Sequence, residues 1–168
     1  MKKKLSSSSF RAHGNRWLIR LLVLACTTLF SIQSNAQNHI DLSSAIAEGN
    51  SPLSDLVYGL QTTAYIREGQ LDIAGDGYAA VLDLMAADLA GLNLTDSSLD
   101  GVSTVIIRME QVSDVSANYD ASELSELQSL AYVVVLCSAN VSASEVAAIP
   151  INGLPPAVQS YYALSIPE

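Results

Sequence analysis

The most continuous apolar run after residue 36 is Leu130–Val141, LAYVVVLCSANV. Ala131, Val133, Val135, Cys137 and Ala139 alternate with Tyr132, Val134 and Leu136. Both sets are apolar, so the run predicts a central strand covered on both faces. Val102–Met109 (VSTVIIRM) and Gln159–Ile166 (QSYYALSI) predict two further strands. Leu99, Val102, Val105 and Ile107 are echoed by Leu127, Leu130, Val133 and Val135 at an offset of 28, and the last strand begins about 28 residues later. Short helical patterns separate the strands. Asp120 with Glu123 and Ser142 with Glu145 have capping-box spacing, and Pro150 ends the second pattern. Upstream, Gln37–Leu60 reads as helical: Asp41 is a cap, Gly49-Asn50 a stop, and Ser51-Pro52 a restart with serine at the N-cap. Thr62–Ile66 has the composition of a short strand. The expected fold is α/β or α+β: N-terminal helices, then a small sheet of at least three strands (about 102–109, 130–141 and 159–166) joined by short helices. Crossovers of this length fit a parallel sheet, and antiparallel pairing with helical excursions fits the same periodicity.

Leu71–Gly101 supports several readings. Gly75-Asp76-Gly77 is a turn, and Tyr78, Val81, Leu82, Met85 and Leu89 follow at helical spacing, which predicts a turn and a helix. Asp72, Asp76, Gly77 and Asp83 also occupy positions 1, 5, 6 and 12 of a twelve-residue calcium loop. The segment DIAGDGYAAVLDL resembles the loop and helix of dockerin repeats, which implies calcium held by Asp72, Asp76 and Asp83. Ala74 at position 3 departs from that pattern, and a second loop at Asp96–Gly101 has Ile107 at its last position. Leu84, Leu89, Leu94 and Leu99 keep a five-residue rhythm similar to pentapeptide repeats. Leu99, Val102, Val105, Ile107 and Val112 keep a spacing similar to leucine-rich repeats, with Glu110 where asparagine is expected.

Charge changes the picture once the start of the chain is considered. Six basic residues between Lys2 and Arg20, the apolar run Leu21–Ile32, and Ser34-Asn35-Ala36 form the pattern of a secretory signal peptide cleaved after Ala36. An uncleaved anchor and a lipid attached at Cys26 are the alternatives. The expected organisation is a signal peptide over 1–36 and a single acidic globular domain over 37–168, secreted or periplasmic. Beyond Ala36 only Arg67 and Arg108 stand against all seventeen acidic residues, for a net charge of −15. Such a surface has no footprint for nucleic acid, and an anionic membrane would repel it.

The same segment of chain keeps one histidine, His39, and one cysteine, Cys137, so it can form no internal disulfide. His39, near the new terminus, is expected to be solvated, and Cys137 to be buried and inert. Carboxylates are the abundant catalytic currency, and Tyr161-Tyr162 offers a hydroxyl for a glycan or protein. The expected function is an exported non-enzymatic binding, scaffolding or envelope-associated domain. Its partner would be an extracellular or envelope protein or a glycan, with no cofactor. The alternative is a small secreted hydrolase using Asp72, Asp76 or Asp83, assisted by calcium.

Overall fold

A computed structural model describes residues 39–165; the expected signal segment and Cys26 lie outside the described residues. Nine strands and four short helices follow one another. They are β1 (Ile40–Asp41), α1 (Leu42–Ala47), α2 (Ser51–Tyr58), β2 (Thr63–Arg67), β3 (Gln70–Ala74), β4 (Val81–Met85), β5 (Thr104–Met109), α3 (Val112–Val115), β6 (Tyr119–Asp120), β7 (Tyr132–Cys137), α4 (Ala143–Ala147), β8 (Ile151–Asn152) and β9 (Gln159–Leu164). Seven of the strands form one mixed sheet in the order β1-β9-β7-β5-β4-β2-β3. Every pairing is parallel except the β2–β3 hairpin, whose turn Glu68-Gly69 has φ of 52° and 73°, the left-handed conformation that a tight two-residue hairpin requires. From β4 onward, each long strand lies beside the next one in sequence, so the chain advances as stacked coils.

The offset of 28 seen in the sequence is the register between β5 and β7: Val105 pairs with Val133 and Ile107 with Val135. These side chains point to one face, where all three crossovers supply the other wall of the core. The first crossover contributes Leu89, Leu94, Leu99 and Val102; the second Ala121, Leu124 and Leu127; the third Val146, Ile149, Ile151 and Val158. The five-residue rhythm therefore marks successive inward leucines of one strand and the crossover behind it. Of the leucine-rich spacing, Leu99, Val102, Val105 and Ile107 are buried there, while Val112 is exposed. Two crossovers also pair with each other through the two-stranded parallel sheet β6–β8.

The opposite face is covered in part by α1 and α2. Leu42, Ala45 and Leu53 pack on Val81, Ile106, Val134 and Tyr161. Fully burying each such aliphatic side chain contributes about 1.5–3 kcal/mol. Both helices are capped: Asp41 accepts the Ser44 N–H at 3.0 Å, and Asn50 accepts the Leu53 N–H at 3.3 Å. Asn50 takes the N-cap position expected for Ser51, and Pro52 shifts one place into the first turn. Ser142 and Glu145 form the expected capping box on α4. Asp120 instead accepts the Ser122 N–H at 3.0 Å, and a 3-10 turn over Ser122–Glu126 follows with no box to Glu123.

Two expectations are corrected. The helix expected from Tyr78 to Leu89 is strand β4 followed by a single 3-10 turn, Ala86–Leu89. Val81, Leu82, Asp83 and Leu84 are all buried because β2 and β5 pair on either side and both faces of the sheet are covered at this point. His39, expected to be solvated, is 4% exposed. Its Nε2 lies 3.0 Å from the Ile149 carbonyl, its Nδ1 meets the Ser160 hydroxyl, and its N–H donates to the Ala147 carbonyl at 3.2 Å. A carbonyl can only accept, so Nε2 carries the proton and Nδ1 accepts from Ser160. This histidine pins the start of β1 to the edge of the sheet.

Candidate functional site

Strand alternation places Thr63, Tyr65 and Arg67 of β2 on the helix-covered face, together with Val81, Asp83 and Met85 of β4 and Thr104, Ile106 and Arg108 of β5. The helices cover this face unevenly. Toward the C-terminal ends of the strands, Arg67, Met85, Arg108, Leu136 and Ala163 form a row that is only half-buried. Met85 pairs with Arg108, Arg108 with Leu136, and Leu136 with Ala163. Two arginines therefore lie in a mixed polar and apolar row across the open part of the sheet.

Asp83 organises them. Its side chain is 3% exposed, and it forms ion pairs at 2.7 Å with Arg67 Nη2 and with Arg108 Nη2. Arg108 Nε also donates to both Asp83 oxygens at 2.9 Å. Arg67 Nη1 donates to the backbone carbonyls of Ile66 and Asp83 at 2.8 and 2.9 Å. The guanidinium of Arg67 stacks 5.6 Å from the Tyr65 ring centroid. The hydrogen bonds that Arg108 donates to Asp83 hold its guanidinium above its ordinary pKa, burial opposes this, and the charges of Asp83 and Glu110 add to it. One bidentate arginine would already neutralise a carboxylate. With two, the triad keeps one surplus positive charge. Arg67 Nε and Arg108 Nη1 meet no acceptor among the described residues, and the two side chains are 39% and 38% exposed.

The sequence-predicted residues are placed as follows. Asp72 and Asp83 both stand opposite Tyr65, on strands to either side of β2. Asp72 is exposed, and Asp83 is committed to the arginines. Asp76 is exposed in the turn after β3, where Gly75 and Gly77 have φ of 112° and 86° and the Asp76 carbonyl accepts the Thr62 hydroxyl at 2.8 Å. The twelve residues thus run strand, turn, strand. Among the described residues, no three His, Cys, Asp or Glu side chains gather where a metal ion could be held. Cys137 is fully buried. Tyr161 is buried against Tyr132 with ring centroids 6.2 Å apart, and Tyr162 packs against the crossover core. Away from the arginine row, a groove of about 350 Å³ is lined by Val112, Val115, Ser116, Val141, Glu145 and Ala148. Its one ionisable group, Glu145, is occupied in capping α4.

Neither arginine belongs to an acid pair or a metal-loop pattern in the sequence. The available signal was an arginine at the sheet-facing end of each of two apolar strands, TAYIR and TVIIRM, in a segment with no other cation. No helix among the described residues is long and apolar enough to cross a membrane. No family model, curated protein or solved structure matches the chain.

Proposed function

We propose that the protein is an exported, non-enzymatic binding domain that takes its ligand on the open row of the sheet around Arg67, Met85, Arg108 and Leu136. The observation that carries this reading is the surplus guanidinium charge on a flat, half-exposed sheet face, placed toward the C-terminal ends of parallel strands. Ligands of open parallel sheets collect at that end. Binding is favoured over hydrolysis because both oxygens of Asp83 already accept from guanidiniums, which commits this buried carboxylate to holding the two arginines.

The basic lead, apolar run and small-residue exit at Ala36 support export to the periplasm or beyond, with lipid attachment at Cys26 as the variant route. An acidic surface disfavours nucleic acid and anionic membrane, which leaves an extracellular or envelope protein or a glycan as the partner. The test is an array of extracellular peptides and glycans probed with the full chain, with Met85→Glu, and with Glu126→Gln as a control on an exposed crossover. The expected result is binding that Met85→Glu abolishes and Glu126→Gln preserves. Binding indifferent to Met85→Glu, or cleavage of the captured ligand, would overturn the reading.

A further inference from the structure

We infer that the Arg67–Asp83–Arg108 triad is a receptor for a single carboxylate borne on an apolar body, a ligand class that deepens the binding reading above and rests on it. Asp83 takes up one guanidinium charge and fixes the geometry of both forks, while the donors at Arg67 Nε and Arg108 Nη1 stay uncommitted among the described residues. Guanidinium forks match the planar geometry of a carboxylate, and a partly desolvated fork is weakly hydrated, which lowers the cost of pairing.

The surroundings define the rest of the ligand. Met85 and Leu136 flank Arg108 in the same row, one strand away on either side, which is about 4.8 Å. They offer apolar contact next to the charged fork. Tyr65 backs Arg67 through its ring face. Glu110, just past the end of β5, and exposed Asp72, across Tyr65, supply negative charge at the rim. A ligand with several anionic groups would meet those carboxylates and the strongly negative remainder of the protein. A monoanion has only its one charge to place, and that charge lies on the fork. The class is therefore a monocarboxylate with an aliphatic or aromatic body, such as a free acid or the carboxyl end of an apolar peptide.

The experiment is calorimetric titration of the full chain with N-acetyl-leucine, and with the neutral N-acetyl-leucinamide, at low salt. The acid is expected to bind with a millimolar constant that weakens several-fold between roughly 50 and 500 mM salt, and the amide is expected not to bind. Arg67→Gln and Arg108→Gln, each with a melting temperature showing that it folds, are expected to weaken the acid at least fivefold. Arg67→Lys keeps the charge without the fork and is expected to recover only part of the loss. Equal binding of acid and amide, absence of heat at about 20 mM acid, or a folded Arg67→Gln that binds like the parent would overturn the inference. Array binding that is still lost in Met85→Glu would then show that the open face binds a ligand of other chemistry.

Discussion

His39 makes the stability of the fold depend on pH in a calculable direction. The ring is buried, its Nε2–H donates to the Ile149 carbonyl, and its Nδ1 accepts from Ser160. Burial lowers its pKa, and the hydrogen bond to Ile149 opposes that only in part. The folded state therefore keeps the ring neutral at a pH where the unfolded chain, with an ordinary value near 6.5, takes up a proton. Stability from this site is complete above about pH 6.5 and declines as pH falls below it, because the unfolded state then binds more protons. The slope is at most about 1.4 kcal/mol per pH unit, and the decline ends when pH reaches the lowered folded value. At pH 5.5 the loss is thus bounded at about 1.4 kcal/mol. Carboxylates with ordinary values near 4 are still ionised there, so from pH 7.5 to 5.5 the titrating side chains are His13 and His39, and comparison with a His39 variant isolates His39. Urea unfolding across that window, for the parent and for His39→Gln, is the assay. The parent is expected to lose stability toward pH 5.5. The variant is expected to be less stable at pH 7.5, by about 1–3 kcal/mol for two buried hydrogen bonds, and flat across the window. A variant with the parent's slope, or a His39 ring that titrates at 6.5 in the folded protein, would refute the reasoning.

Three other outcomes follow from the same geometry. Asp83→Ala leaves two guanidiniums facing one another, and because each is more than a third exposed, water relieves part of the repulsion. A loss of about 1–3 kcal/mol in urea is expected, and a loss below about 0.5 would mean that the triad is a surface decoration. Calcium at about 5 mM is expected to move the melting temperature by less than about 1 °C, since a cation at Asp83 must displace two guanidiniums; a rise of several degrees would instead support calcium held by Asp72, Asp76 and Asp83. Cys137, with no exposed surface, is expected to react with a thiol reagent at least about a hundredfold more slowly in the native protein than in denaturant, and equal rates would deny it a core position.

Much of the sheet was legible because its strands are buried on both faces. Val102–Met109, Leu130–Val141 and Gln159–Ile166 contain β5, β7 and β9, and they overrun β5 and β7 by two residues at the start and β7 by four at its end. Past β7, Ala139 and Val141 continue the apolar pattern although the register has ended at Cys137. The offset of 28 is itself the register between β5 and β7, where like residues stack on like. Parallel pairing was not legible, because alternation is the same in either direction. Strand β4 was hidden for a different reason. Tyr78, Val81, Leu82, Met85 and Leu89 satisfy a helical period, and only the long-range pairing with β2 and β5 decides otherwise. The burial of His39 is not legible in the sequence, because its partners lie 110 and 121 residues away. The arginine row is not legible in the sequence because Arg67 and Arg108 are 41 residues apart, and Asp83, which unites them, also fits the last position of a calcium loop.

The central claim is that two arginines share one buried carboxylate with guanidinium donors to spare. Hydrogen exchange at the arginine Nε–H groups of the full chain, with signals assigned by Arg67→Lys and Arg108→Lys, tests this directly. Arg108 Nε–H, held between both oxygens of Asp83, is predicted to exchange slowly, and Arg67 Nε–H, with no acceptor among the described residues, to exchange fast. Asp83→Asn is predicted to speed the first and leave the second unchanged. Two equally fast signals, or an Arg108 signal indifferent to Asp83→Asn, would contradict the account.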